Sequence, residues 1–187
     1  YVGGLGDLER RVVRSIGDPR VRFVEDPVRM LRAAVMGARL GFDMDPLVSE
    51  AIAEHRELIT KASPARLLEE YYKILRSGAA EATFSAMSRM RLLELITPEL
   101  ETVPPRVSDS LARLDRYRAQ FTAPPPELTN TMLMGALLEP LGILGRVVVF
   151  VLWTRPVRFK RRVELVQNIW RGHLRQAHVP LNAIDKR

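Results

Sequence analysis

Apolar residues recur every three to four positions along most of this chain, the spacing of one face of an α-helix. Val28, Leu31, Val35, Ala38 and Leu40 draw the first stripe, and Asp26-Pro27 stands where its helix should begin. Asp suits an N-cap because its carboxylate accepts from the free N–H groups of the first turn. Pro suits the next position because its missing N–H costs nothing there. The device recurs. Asp45-Pro46 opens a second helix reaching Ile59, with Leu47, Ala51 and Ile52 inward. Ser63-Pro64 opens a third, which runs to Arg76 and stops at Gly78. A fourth helix is predicted from Glu81 to Met90 and a fifth from Ser108 to Phe121. Pro124-Pro125-Pro126 breaks the pattern as a linker, followed by a helix to about Leu138. Val147 to Val151 has the β-branched density of a strand, with a buried helix as the alternative, and a basic helix runs from Arg158 to about Arg175. The predicted fold class is all-α, a multi-helix array with no substantial sheet.

Composition narrows the class. At 187 residues, 47% hydrophobic and 27% charged, the chain can bury a core as one extended or two small domains. It has no cysteine, which excludes disulfides and thiolate metal sites and fits a reducing compartment. No secretory signal pattern opens the chain. Met132 to Trp153 is its most apolar stretch, but Glu139, Pro140, Gly142, Gly145 and Arg146 interrupt it. A buried helix pair is expected there, and no membrane partner.

Charge is unevenly spread. Residues 1–100 carry 15 basic and 15 acidic side chains, while residues 101–187 carry 14 basic against 7 acidic and supply the whole net charge of +7. The excess lies after residue 154, where Arg155, Arg158, Lys160, Arg161, Arg162 and Arg171 lead the run. A segment of this bias attracts phosphates without reading sequence; a solvated helix face or a frayed tail would look the same. Trp170 could stack on a base, though an Ile-Trp at helical spacing more often belongs to a core. His55, His173 and His178 have no second ligand at metal spacing, so no zinc site is expected.

The densest chemistry lies in Glu25-Asp26-Pro27-Val28-Arg29-Met30-Leu31-Arg32-Ala33. With a helix starting at Asp26, Asp26 and Arg29 share a face. Together they set a hydrogen-bond acceptor beside a donor. Adenine and cytosine each present an amine next to an unprotonated ring nitrogen, so this pair matches either, whereas guanine and uracil present the reverse order. The same residues would serve as plain helix-start chemistry, with Arg29 pairing only to Glu25.

Glu25-Asp26-x-x-Arg29 followed by Met30-Leu31-Arg32-Ala33 resembles the nucleotide-selecting motif of class II nucleotidyltransferases, the bacterial poly(A) polymerases and tRNA CCA-adding enzymes. Upstream, the run from Tyr1 to Leu8, then Ile16-Gly17-Asp18-Pro19 and Arg22-Phe23, resembles the family's head-to-neck segment. Downstream, Ala38 to Phe42, Ser63 to Glu70 with Lys73-Ile74-Leu75 and Gly78, and Leu92 to Leu100 continue the likeness in order. Beyond residue 100 it is weaker, carried by Arg155 to Phe159 and Ile169-Trp170.

The resemblance implies a head-to-neck connector over residues 1–24, a neck that binds nucleotide and RNA over 25–100, and a helical body with a basic C-terminal helix over 101–187. It implies that Glu25, Asp26, Arg29 and Arg32 bind the nucleotide, and that Arg155, Arg158, Lys160, Arg161, Arg162 and Arg171 hold RNA. The expected function is the RNA- and nucleotide-binding C-terminal part of a template-independent RNA 3′-end nucleotidyltransferase, a poly(A) polymerase. The alternatives are a CCA-adding fragment and a stand-alone helical RNA-binding module that has lost catalysis. The Pro-Val inside the first motif leans toward poly(A) polymerase.

Expected partners are an RNA 3′ end, of mRNA or tRNA, and an N-terminal catalytic head, in a bacterial cytoplasm. ATP as substrate and Mg²⁺ belong to the intact enzyme, and neither is expected bound to this chain. Phosphoryl transfer to a 3′-hydroxyl needs carboxylates that hold two metal ions. The family places them in a Gly-Ser stretch followed by Asp-x-Asp, and no such block occurs in this sequence. Asp43-Met44-Asp45 has the spacing but reads as a turn and a helix start. The chain opens inside the head-to-neck motif at Tyr1, so it is expected to be part of a larger enzyme and not to catalyse alone.

Three details complete the expectations. Gly3-Gly4-Leu5-Gly6 is implied to be a flexible joint tied down by Asp7 and Leu8. Arg66 and Glu70, one turn apart, most simply make a helix-surface ion pair, on a helix that braces the neck. Val35-Met36 stands where the family usually has Arg-Phe, which puts nucleotide affinity in question and leaves Arg32 as a candidate contact, with a salt bridge to the head as its alternative.

Overall fold

A computed structural model describes residues 3–142. Residues 1–141 form one compact unit. Arg155, Arg158, Lys160, Arg161, Arg162 and Arg171, with the elements predicted from Val147 to Leu152 and from Arg158 to Arg175, lie outside the described residues.

The described residues are helical with one minimal sheet. In chain order they form α1 (Gly4–Arg10), β1 (Val12–Val13), α2 (Pro19–Glu25), α3 (Val28–Leu40), β2 (Asp43–Met44), α4 (Pro46–His55), α5 (Pro64–Arg76), α6 (Ala80–Arg89), α7 (Leu93–Ile96), α8 (Pro105–Arg118) and α9 (Asn130–Leu138). Short 3₁₀ turns cover Arg56–Lys61, Pro98–Leu100 and Glu139–Leu141. The fold is all-α. β1 and β2 pair in parallel through Val12–Asp43 and Val13–Met44 only. This bridge replaces the turn expected at Asp43-Met44 and ties the segment before α2 to the one after α3.

The starts read at Asp45-Pro46 and Ser63-Pro64 form, and Asp18-Pro19 opens a further helix that the apolar stripes do not predict. Asp18 accepts from the Arg20 N–H at 2.9 Å, Asp45 from Leu47 at 2.8 Å and Ser63 from Arg66 at 3.4 Å. At α3 the helix proper begins at Val28, yet Pro27 already has helical angles and Asp26 is extended at φ −148°, ψ 95°. The Asp26 carboxylate accepts from the Val28 N–H at 3.3 Å, so it caps the helix in effect. Gly78 ends α5's connection at φ +79°, a conformation that a side chain would strain.

α3 runs through the centre of the unit. Met30, Leu31 and Ala34 are buried against a cluster that includes Ile52, Ile74, Leu75, Phe84 and Met87. Val28 and Leu31 lie inward as the stripe predicts, but Leu40 is 48% exposed because the stripe drifts off the core at the helix end. Leu47 is likewise 55% exposed, and Val48 takes the inward place predicted for it beside Ala51 and Ile52. At the first turn of α4, one residue's shift rotates the buried face by a hundred degrees. Tyr71 stacks on Phe84 with ring centroids 5.4 Å apart, and its hydroxyl pairs with Thr97. Burial pushes the Tyr71 phenol up to about 12, so that group remains a neutral hydrogen-bonding hydroxyl.

Residues 3–24 carry more structure than a connector implies. Gly4 lies inside α1, where a flexible joint was expected, and Asp7 anchors this helix through Arg10 and Arg14 at 2.9 Å each. Leu8 does not tie it down, being 57% exposed. α6 has no local cap. Asp115, from α8, instead accepts from the Ala80 and Glu81 N–H groups at 2.8 and 2.9 Å. Burial pushes its carboxyl up, and the two N–H groups pull it back. Replacing Asp115 with Ala should cost about 1–2 kcal/mol in urea unfolding by leaving both donors unpaired.

Candidate nucleotide and RNA site

The end of α2 and the start of α3 form a corner whose acids and arginines are held from outside by α5. Asp26 is nearly covered, with an 18% exposed side chain. Its Oδ2 accepts from Arg66 at 3.0 Å and stands 3.9 Å from Arg29 Nε. Arg29 also lies 3.9 Å from Glu25, which is engaged at 2.9 Å by Arg22. Arg29 makes no direct hydrogen bond among the described residues, so its donors are open to a ligand while Asp26 fixes their place.

One turn further along α3, Arg32 donates to Glu70 at 2.9 Å through Nη2 and at 3.3 Å through Nε. Glu70 also accepts from Lys73 at 3.0 Å and is a buried charged residue, 6% exposed. The ion pair expected between Arg66 and Glu70 is therefore replaced. Each reaches across to α3, because α5 packs beside it and offers a partner of opposite charge closer to the core. Burial opposes the charge on Glu70 and on Asp26, but the arginine and lysine hydrogen bonds outweigh it and hold both carboxyls below their ordinary values.

Beside this corner lies a cleft of about 310 Å³ whose charged lining is entirely arginine: Arg14, Arg22, Arg29 and Arg32. Its apolar lining includes Ile16, Phe23, Ala33, Met36 and Val48. Of the predicted nucleotide residues, Arg29 and Arg32 line this cleft; Glu25 and Asp26 are not in its lining, and Asp26 stands beside Arg29 at 3.9 Å. The contribution of Arg14 and Arg22 was missed because neither has a signature spacing; the fold brings them together. The Val35-Met36 replacement divides in the same way. Val35 packs on the core and does not line the cleft, whereas Met36 does.

No group of three or more His, Asp or Glu side chains able to hold a metal occurs among the described residues. Asp43 sits in β2 and Asp45 caps α4. No helix among the described residues is long and apolar enough to cross a membrane.

Residues 41–103, which include all of α4 to α7, match the family described as "Probable RNA and SrmB- binding site of polymerase A". Over 100 residues the chain is 40% identical to poly(A) polymerase I of Escherichia coli, covering 54% of this chain and 22% of the relative. Over 94 residues it is 37% identical to the CCA-adding enzyme of Bacillus subtilis, covering 50% and 24%. The chain is similar over these stretches to bacterial poly(A) polymerases and CCA-adding enzymes. It spans about a fifth to a quarter of the length of these relatives. Its fold is similar to a solved tRNA-processing enzyme in an apo form, with a TM-score of 0.53 at 26% identity over 74% of this chain and 40% of the other. A tRNA-processing enzyme solved with CTP gives 0.55 at 22% identity over 94% and 50%.

The α3–α5 contact makes a testable demand on pH. A carboxyl held below its ordinary value contributes stability that is full above that value, 4.5 for Glu70, and is lost as pH falls through the folded-state pKa. Between about pH 6 and pH 3 the wild-type chain should lose more stability than Glu70→Gln. The variant should start about 1 kcal/mol less stable at neutral pH. Thermal unfolding across that range checks both.

Proposed function

We propose that this chain is the nucleotide- and RNA-binding part of a template-independent RNA 3′-end nucleotidyltransferase that adds adenosine. The observation that carries the reading is the Asp26–Arg29 edge at the rim of an arginine-lined cleft. The Arg29 guanidinium has unspent donors, and the neighbouring carboxylate supplies the acceptor. A base with an amine beside an unprotonated ring nitrogen completes that pattern. The cleft's arginines attract the phosphates of the nucleotide, and its apolar wall at Ile16 and Met36 accommodates the flat face of a base. ATP is the substrate under this reading, with Mg²⁺ held by carboxylates of an N-terminal catalytic head, the partner of this part. The enzyme works on RNA ends in the bacterial cytoplasm. Residues 25–100 act as the neck, 101–187 as the body, and the basic run at Arg155, Arg158, Lys160, Arg161, Arg162 and Arg171 holds the RNA.

Addition of CCA to tRNA is the second reading, favoured by the likeness to a tRNA-processing enzyme. Both need the same base edge, since adenine and cytosine share it.

In a full-length enzyme containing this chain, Asp26→Ala or Arg29→Ala should reduce discrimination of ATP against GTP by roughly tenfold or more. The KM for RNA should stay unchanged. Single-nucleotide incorporation assays check this, and full selectivity in both variants would contradict it.

A further inference from the structure

Three arginines on α8 have no structural occupation. Arg106, Arg113 and Arg116 are exposed, and none makes a hydrogen bond or ion pair among the described residues. They lie seven and three positions apart, which places them within about 80° of one another around the helix and along about 15 Å of its length. The opposite face holds the buried Val107, Leu111 and Leu114. Asp109 is the one acid on the basic face, since Asp115 is engaged with α6.

This stripe leads to an aromatic corner. Tyr117 and Phe121 meet edge to face with centroids 5.2 Å apart, and Phe121 is 38% exposed. The corner is fixed from beneath. Arg118 donates to the Arg76 carbonyl at 3.2 Å and the Phe121 carbonyl at 2.6 Å, and Arg76 lies 5.7 Å over the Tyr72 ring. Arg118 is thus spent on the backbone beside the corner, and Arg76 on Tyr72 and Asn130. Arg106, Arg113 and Arg116 are unspent.

We infer that the exposed face of α8 and the Tyr117–Phe121 corner form a track for single-stranded RNA. Unpaired guanidiniums in a row suit a polyanion, whose phosphates they neutralise with release of counterions. A rigid, solvent-open aromatic edge suits a base that is not already stacked in a duplex. The track lies beyond residues 41–103, which the family match covers, and is separate from the arginine-lined cleft. It rests on the RNA-binding reading proposed above.

Fluorescence anisotropy of the full chain with a labelled oligoadenylate, over a salt series, tests it. Arg106→Gln, Arg113→Gln and Arg116→Gln together should lower the slope of log affinity against log salt by about 2, at about 0.7 per phosphate lost. Phe121→Ala should weaken binding about tenfold while leaving that slope unchanged. Circular dichroism should show both variants folded, since the altered arginines are exposed and unpaired. Wild-type affinity and slope in the triple variant would overturn the track while leaving RNA binding by the chain intact. No oligoadenylate binding by the wild type at low salt would overturn both readings. Preference of this face for an acidic peptide, with poly-glutamate displacing RNA only from the wild type, would also overturn the track in favour of a protein partner.

Discussion

The chain's candidate chemistry depends on α5 holding the first turns of α3. Arg66 reaches Asp26, and Glu70 reaches Arg32, each across about forty residues of sequence. The two contacts leave α5 one turn apart and meet Asp26, just before α3, and Arg32 within it, so they fix rotation as well as distance. Asp26 therefore carries three duties: it caps α3, receives Arg66 and positions Arg29. Glu70 is buried and satisfied by two cations, which makes the contact costly to break, because a lone buried carboxylate would be left behind.

Much of this scaffold is legible in the sequence because its signals are local. Asp45-Pro46 and Ser63-Pro64 cap helices as their side chains dictate, and Gly78 takes the left-handed turn that ends α5's run. The Glu25–Arg32 corner is also local, within about two turns of chain. What escaped depends on tertiary placement. The β1–β2 bridge is two residues long on each side and has no periodicity to detect. Arg66 and Glu70 have the spacing of a surface pair, and only the neighbouring α3 shows that both point elsewhere. Asp115 gives no sign in sequence that it caps a helix beginning thirty-five residues earlier.

The two clusters of arginine differ in how their charge is used. In the cleft, Arg22 and Arg32 are each anchored by a carboxylate behind them, which orients a guanidinium without cancelling its remaining donors. That arrangement suits a ligand held in one geometry. On α8 the arginines have no such anchor and can follow a flexible chain, which suits affinity without sequence reading. Position 35 separates the roles again. Val35 faces the core, so the cation that the family's pattern would place there is not the one the cleft uses; Arg14 and Arg22 approach from the preceding segment instead.

The central claim is that the α5 contact sets the base-reading edge. Nucleotide selectivity of Arg66→Ala in a full-length enzyme containing this chain tests it most directly. Arg66 is half exposed and is not part of the cleft lining, so its loss removes a contact to Asp26 and no cleft surface. The account predicts that ATP is preferred over GTP by a smaller factor than in the wild type, with RNA affinity unchanged. Unaltered selectivity in a folded Arg66→Ala enzyme would contradict it.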